Sequence, residues 1–561
     1  MRLFFPPTFE TEPFPPMTTP LDSSFASSPN SKNEKVLFWA SFLTLIAAGI
    51  GFSVRGAILK DWGQQFGFTQ SELGTITGGG LLGFGLAIIF FSFCADLFGY
   101  GKLMLVAFIL HAASAVVTFA ATYVFAQYGK DAAYICLSVG MLLFALGNGT
   151  CEAVINPLTA TLFPNNKTHW LNILHAGWPL GLILGAVIVL GFGQVGTPIR
   201  WEIKLGVFLV PVALYGLLMF NRQFPRSEAS VSGISMGTSI LTLLSPVLLF
   251  LFVLHALVGY VELGTDSWIT NITERVLKNG EYALLAFIWT NAIMFTLRFF
   301  AGPIVHKINP VGLLFVSAIL GTAGLYMLGQ DFTNSVWPWI AAVTVYGIGK
   351  TFLWPTMLGV ISENFPRGGA LALGISGGIG MISAGLLGGP GIGYKQDYFA
   401  VDKITQLDAA TYDRYMSRNE QGEPAKSGFP IASQVAPDKV PLVAGLDNSK
   451  LKVFDDFAKD GKTTTLNADI EAVEKAKAAG SKNEEKLETN LTNLKTWWTD
   501  KGKPNFENDK DKLETARLYG AKQALLYTAV VPAVLAVGFL LLLGYFALRG
   551  GYKQVHIGDK H

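Results

Sequence analysis

Apolar residues recur along this chain in runs of about 20, separated by short polar stretches, and each run can cross a hydrocarbon core of ~30 Å. Twelve spans are predicted, near 36–59, 73–95, 102–126, 132–160, 171–195, 204–221, 243–264, 281–302, 311–329, 336–360, 369–392 and 521–548. The pattern lapses in four places. Residues 1–35, rich in Pro, Ser and Thr, read as a disordered tail without the apolar core of a signal peptide. Residues 223–242 read as a linker, 395–520 as a polar insert, and 549–561 as a second tail.

Composition sharpens this picture. Charged residues make up 15% of the 561, against about 25% in a soluble domain. They are also segregated: 20 of the 42 Lys/Arg and 22 of the 40 Asp/Glu lie between Lys395 and Gly520. The remainder suits lipid. A net charge of +2 gives no basis for nucleic-acid binding. Cys94, Cys136 and Cys151 fall in or beside spans and are expected as free thiols. Glycine is frequent, at 61 residues, which suits close helix packing in a bilayer. The run from Gly374 to Gly393 marks a tightly packed or bending helix.

Basic residues in short loops set the orientation. Lys102, Lys167, Arg222, Arg226, Lys307 and Arg367, with basic residues of both tails, outnumber those of the opposite loops. The positive-inside bias then puts both termini in the cytoplasm, with 395–520 outside, and a cell-membrane location is expected (the inner membrane if the cell is a Gram-negative bacterium). That insert holds no His or Cys. Ser481–Glu484 fits a capping box, Leu487, Leu491, Leu494 and Trp498 follow at helical spacing, and Gly480 would end a helix begun near Asp469. A small helical cap is expected there.

An internal repeat adds the next level. With Pro157 set on Pro355, Gly149 falls on Gly347, Asn148 on Tyr346, Glu152 on Lys350 and Asn156 on Trp354, and both helices run to a Phe-Pro pair. Two six-helix halves (36–222, and 243–394 with 521–548) related by an axis along the membrane normal would give this pattern and place a solute site between them. The expected fold is therefore an all-α membrane protein. It has twelve transmembrane helices in two pseudo-symmetric halves, with an extracytoplasmic helical insert between helices 11 and 12.

Polar residues inside spans are the candidate chemistry, because a charge at the bilayer centre costs about 2.5–3.5 kcal/mol on insertion scales. Asn148, Glu152 and Asn156 share one helix face, as do Tyr346, Lys350 and Trp354. They are expected to line a wet pathway: the amides and Glu152 for hydroxyls, the aromatics as a platform for a sugar ring. A Glu152–Lys350 ion pair locking the halves is the competing reading. Arg55, Asn172, Glu262 and Asn291 complete the set of candidate solute contacts. Asp266 lies one turn from Glu262 near the outer end of span 7, where simple solvation is the alternative. His175 and His255 read as helix-packing groups, and Arg298 as an anchor at the cytoplasmic edge.

The stretch Asp96-Leu-Phe-Gly99-Tyr-Gly-Lys102 is similar to the loop after helix 2 of the major facilitator superfamily. Gly149–Pro157, Leu171-Asn172, Tyr260-Val-Glu262 and Phe352–Thr356 resemble stretches of helices 4, 5, 7 and 10 in a sugar branch of that superfamily, the fucose permease-like sugar:proton symporters. The resemblance covers about 36–394 and 521–548. It implies a monomeric carrier in which Glu152 serves both solute and proton, and Asp96, Gly99 and Lys102 form a conformational loop. Two departures stand out: the helix-1 aspartate of the sugar branch falls on Gly56, beside Arg55, and the large insert is additional.

The preferred reading is a secondary transporter of a sugar-like solute, with proton symport as an expected coupling. An organic-anion or acidic-sugar carrier using Arg55 and Lys350 is the alternative, and a transporter-like membrane sensor a third. No enzyme is expected, since no P-loop, HExxH or triad context is present. No cofactor or metal is expected either.

Overall fold

The computed structural model describes residues 32–66, 68, 72–73, 75–76, 80–193, 199–419, 421–478 and 485–557. Except for its last four residues, the tail expected over 1–35 lies outside them, as does the capping box at 481–484.

Among the described residues, eleven helices are long and apolar enough to cross a membrane. They are α1 (Lys32–Ala57), α2 (Gly80–Phe98), α3 (Tyr100–Tyr128), α4 (Lys130–Leu162), α5 (Lys167–Phe192), α6 (Trp201–Met219), α7 (Pro246–Leu277), α8 (Gly280–Arg298), α9 (Ala301–Leu328), Pro366–Leu407, and the apolar end of Glu488–Leu548. The tenth expected span differs. It is two shorter helices, α10 (Val336–Lys350) and α11 (Leu353–Asn364), joined end to end over Thr351 and Phe352. Pro355 is the cause: it has no N–H for the Thr351 carbonyl, so the ladder breaks one turn before it.

The long helix α12 (Pro366–Leu407) holds the glycine run, and there the helix widens into a π-turn over Ala384–Gly388. A second π-turn, Tyr260–Gly264, interrupts α7 and packs against the first. Glycine makes the approach possible, since a Cβ on Gly259 would overlap the Gly380 carbonyl.

Packing knits early spans to late ones. α2 runs beside the first part of α12, α5 beside both α8 and α11, and α4 also touches α12. On the face carrying residues 222–245, the Thr168 N–H and hydroxyl both donate to Glu363 Oε1, at 3.0 and 2.6 Å. Lys167 Nζ donates to Glu228 Oε2 at 2.7 Å and to the Ser362 carbonyl at 3.2 Å. Asp96 Oδ1 accepts from Ser227 Oγ at 2.7 Å, and the Asp96 carboxylate stands beside Gly369 at the start of α12. Gly99, at φ 82°, makes the turn from α2 to α3, and Lys102 is exposed. This face is closed, and is called the linker face below.

On the opposite face the insert is mainly helical: α13 (Asn448–Asp460), α14 (Thr464–Ala478), α15 (Glu485–Trp497) and α16 (Phe506–Thr528), which continues into α17 (Val530–Leu548). A two-stranded ribbon pairs Lys426–Ser427 with Val443–Ala444. Tyr415, Phe454, Trp498, Phe506 and Leu513 lie in a hydrophobic core of the insert's own. No helix end marks the expected boundaries at 395 and 520: α12 continues to Leu407 and packs along α16. The insert also reaches the first half, where α14 packs against the helix Leu59–Phe66.

Candidate functional site

Proline decides where the central polar cluster forms. Pro355 frees the Thr351 carbonyl, and Pro179 likewise has no N–H for the carbonyl of His175. Bare buried carbonyls are costly, so a donor must be supplied from elsewhere. Arg298, fully buried at the end of α8, supplies both: Nε donates to Thr351 O at 2.9 Å and Nη1 to His175 O at 2.6 Å. Its remaining arm, Nη2, pairs with Glu262 Oε1 at 3.0 Å. Glu262 sits in the π-turn of α7, and its other oxygen accepts the Trp354 N–H at 3.3 Å, at the start of α11.

From α4, Asn156 Nδ2 donates to Glu152 Oε2 at 2.6 Å, and Asn156 Oδ1 accepts from His175 Nε2 at 2.9 Å. One polar chain therefore runs Glu152–Asn156–His175–Arg298–Glu262, beginning in an early span and ending in a late one. Glu152, His175, Trp178, Glu262, Arg298 and Trp354 surround a cavity of about 20 Å³, room for about one water. Among the described residues no ion pair engages Glu152. Its charge is opposed by Arg298 only across the cavity.

The other expected residues are distributed more widely. Trp354 lines the cavity and meets His255 edge-on at 4.7 Å. Tyr346 instead packs away from it, its hydroxyl donating to Val261 O at 2.8 Å. Lys350 pairs with Asp266, and the anticipated Glu152–Lys350 pair is not formed. Lys350 instead faces α7, where Asp266 meets it.

Arg55 lies away from the cavity. It is buried among early spans, 3.8 Å over the Phe144 ring, with Nη2 on Ser114 Oγ at 3.1 Å. Asn148 is held by His111 Nε2 at 3.1 Å. Asn172 donates to Thr356 Oγ1 at 3.1 Å, in the seam between α5 and α11. Asn291 is buried in α8, its Nδ2 bonded to Phe287 O at 2.9 Å. Neither Arg55, Lys350 nor Tyr346 borders the cavity.

Arg298 is the residue that the sequence reading misplaced, as an edge anchor. The available signal was two prolines, Pro179 and Pro355, each freeing a carbonyl inside a span. His255, whose Nδ1 lies 2.5 Å from Ser376 Oγ, does pack helices as expected.

Comparison with solved structures gives the same architecture. A variant of the E. coli fucose:proton symporter FucP is 16% identical, covering 64% of this chain and 92% of its own, at TM-score 0.52. The E. coli proton:xylose symporter XylE bound to 6-bromo-6-deoxy-D-glucose is 15% identical (68% and 90% covered, TM-score 0.53). A bacterial homolog of the human lysosomal transporter Spinster is 14% identical, with 94% and 100% covered, at TM-score 0.55. No curated protein sequence matches the chain. The sequence pattern of the Major Facilitator Superfamily matches residues 41–389, more than half of the protein. The chain is a multi-pass membrane protein of the Major Facilitator Superfamily, whose members are transporters and not enzymes.

Proposed function

We propose that this protein is a monomeric secondary carrier that moves a sugar or sugar-like solute by alternating access, with a proton exchanged at Glu152. The observation that carries the reading is the polar chain from Glu152 to Glu262, closed around a cavity too small for a solute. A sugar offers hydroxyls that both donate and accept, so it can replace the links among Glu152, Asn156, His175 and Arg298. Trp354 and Trp178 supply apolar faces for a ring. Opening the halves to admit solute breaks the His175–Arg298 link, and solute bridging restores the lost bonds. Glu152 has no ion-pair partner among the described residues, and in this reading its carboxyl carries the coupled proton.

In this reading the linker face is cytoplasmic and the insert lies outside the cell membrane. The stretch 336–364 serves as the tenth of twelve spans, and the halves are 36–222 and 243–394 with 521–548. The similarity in fold to FucP and XylE, both named as sugar:proton symporters, favours a carbohydrate. The anion-carrier alternative is less favoured in this reading, because neither Arg55 nor Lys350 borders the cavity.

A thermal-shift panel of neutral and acidic sugars on the purified protein tests the proposal, since a bound solute stabilises the folded state by mass action. At least one neutral sugar should raise Tm in the wild type and not in Glu152→Gln. Stabilisation by acidic solutes alone, unchanged in Glu152→Gln, would refute it.

A further inference from the structure

A cavity of about 420 Å³ opens on the linker face, far from the central cluster and lined by three separate parts of the chain. Thr242 comes from the helix Met236–Leu243, Ser245 and Val247 from the start of α7, Asn364–Arg367 from the turn between α11 and α12, and Tyr545–His556 from the end of α17 and the tail. Its charged lining is of one sign. Among the described residues Arg367, Arg549, Lys553 and His556 border it, and no carboxylate does. The nearest acid in sequence, Glu363, is already engaged by Thr168 and by the Tyr552 hydroxyl at 2.6 Å. Arg549 is positioned by its Tyr545 neighbour, with the guanidinium 4.7 Å from the ring centroid. The N-terminus of Pro246–Gly259 opens on the same space, and the hydroxyl of its cap residue, Ser245, makes no capping bond.

Like charges gathered around one concavity repel unless an anion joins them. Two guanidinium groups, an ammonium, a hydroxyl that makes no capping bond and a helix N-terminus match the several oxygens of a phosphate group. We propose that this pocket binds a phosphate-bearing anion, either a lipid headgroup or a soluble phosphate. Its wall gives the site a consequence. The tail that supplies Lys553 and His556 also crosses the seam: the Val555 N–H donates to Glu363 O at 2.8 Å, and Gln554 Nε2 to Pro164 O at 2.5 Å. An anion held in the pocket therefore clamps the strap that ties α11 to the α4–α5 turn, and favours the closed linker face.

Hydrogen exchange of Tyr552–Val555 tests this on the full chain in nanodiscs. One arm uses phosphatidylcholine with inorganic phosphate titrated against chloride at constant ionic strength. The other compares phosphatidylcholine with and without phosphatidylglycerol. At a ligand concentration about four times its Kd, tail protection should rise about fivefold, and the double variant Arg549→Gln/Lys553→Gln should lose the gain. Both substituted residues are exposed, so the fold is not at stake. A response to phosphate identifies a soluble ligand, and a response to phosphatidylglycerol alone a headgroup. No protection in either arm, or equal protection in the double variant, overturns the proposal.

Discussion

Arg298 holds the central cluster together because backbone geometry leaves it three acceptors. Lysine in its place keeps the charge but reaches one acceptor at a time, leaving carbonyls bare at about 1–3 kcal/mol each. Thermal unfolding of Arg298→Lys should show that loss, and an unchanged Tm would mean that water replaces the guanidinium. Lys350 makes a different case. Its removal strands Asp266 in a partly buried site, a cost of about 3 kcal/mol. Lys350→Gln/Asp266→Asn should recover most of it, whereas a double variant no more stable than the single would exclude the pair as the cause. The sequence was informative where function needs neighbours on one helix: Glu152 and Asn156 are one turn apart, and their hydrogen bond follows from spacing alone. It was uninformative where partners come from three helices, as for Arg298, or where the partner lies on a different helix, as for Lys350.

The long apolar elements were readable because each run matches the membrane thickness. Their interruptions were less so. The α10–α11 break was implied by Pro355, yet the π-turns at Tyr260–Gly264 and Ala384–Gly388 leave no composition signal beyond glycine. Those turns bring α7 and α12 close enough that Gly259→Ala should cost about 1–3 kcal/mol by overpacking. A circular-dichroism melt of the variant equal to that of the wild type would show that the helices can part freely. In the insert, burial pushes the Asp469 carboxyl up to about 6, opposed by Lys452, with Glu72 adding to the rise. The folded value thus lies above the ordinary carboxylate range of about 4. The ionised form is penalised above about pH 6, and the penalty fades as pH falls towards 4. Hydrogen exchange in α14 should therefore slow between pH 7 and pH 5 once corrected for intrinsic rate, and Asp469→Asn should abolish that dependence. An unaltered profile in Asp469→Asn would assign the effect elsewhere.

At the scale of the whole molecule, early and late spans meet along closed seams on the linker face, while the insert reaches back over the first half from the other side. The repeat joining Gly149–Pro157 to Gly347–Pro355 led to the expectation of two related halves. No helix end marks the expected boundaries of the insert, because α12 and α16 pass from apolar to charged composition unbroken. A carrier built this way should pass solute through the seam between its halves and couple it to the proton gradient through the carboxyl there. Uptake of a labelled neutral sugar into proteoliposomes under an inward proton gradient tests that claim most directly, with wild type and Glu152→Gln side by side. The wild type should concentrate the sugar several-fold, by about tenfold for each 1.4 kcal/mol of gradient energy coupled. Glu152→Gln should exchange sugar without concentrating it. Accumulation that survives in Glu152→Gln, or a wild type that gathers no neutral sugar, would contradict the account.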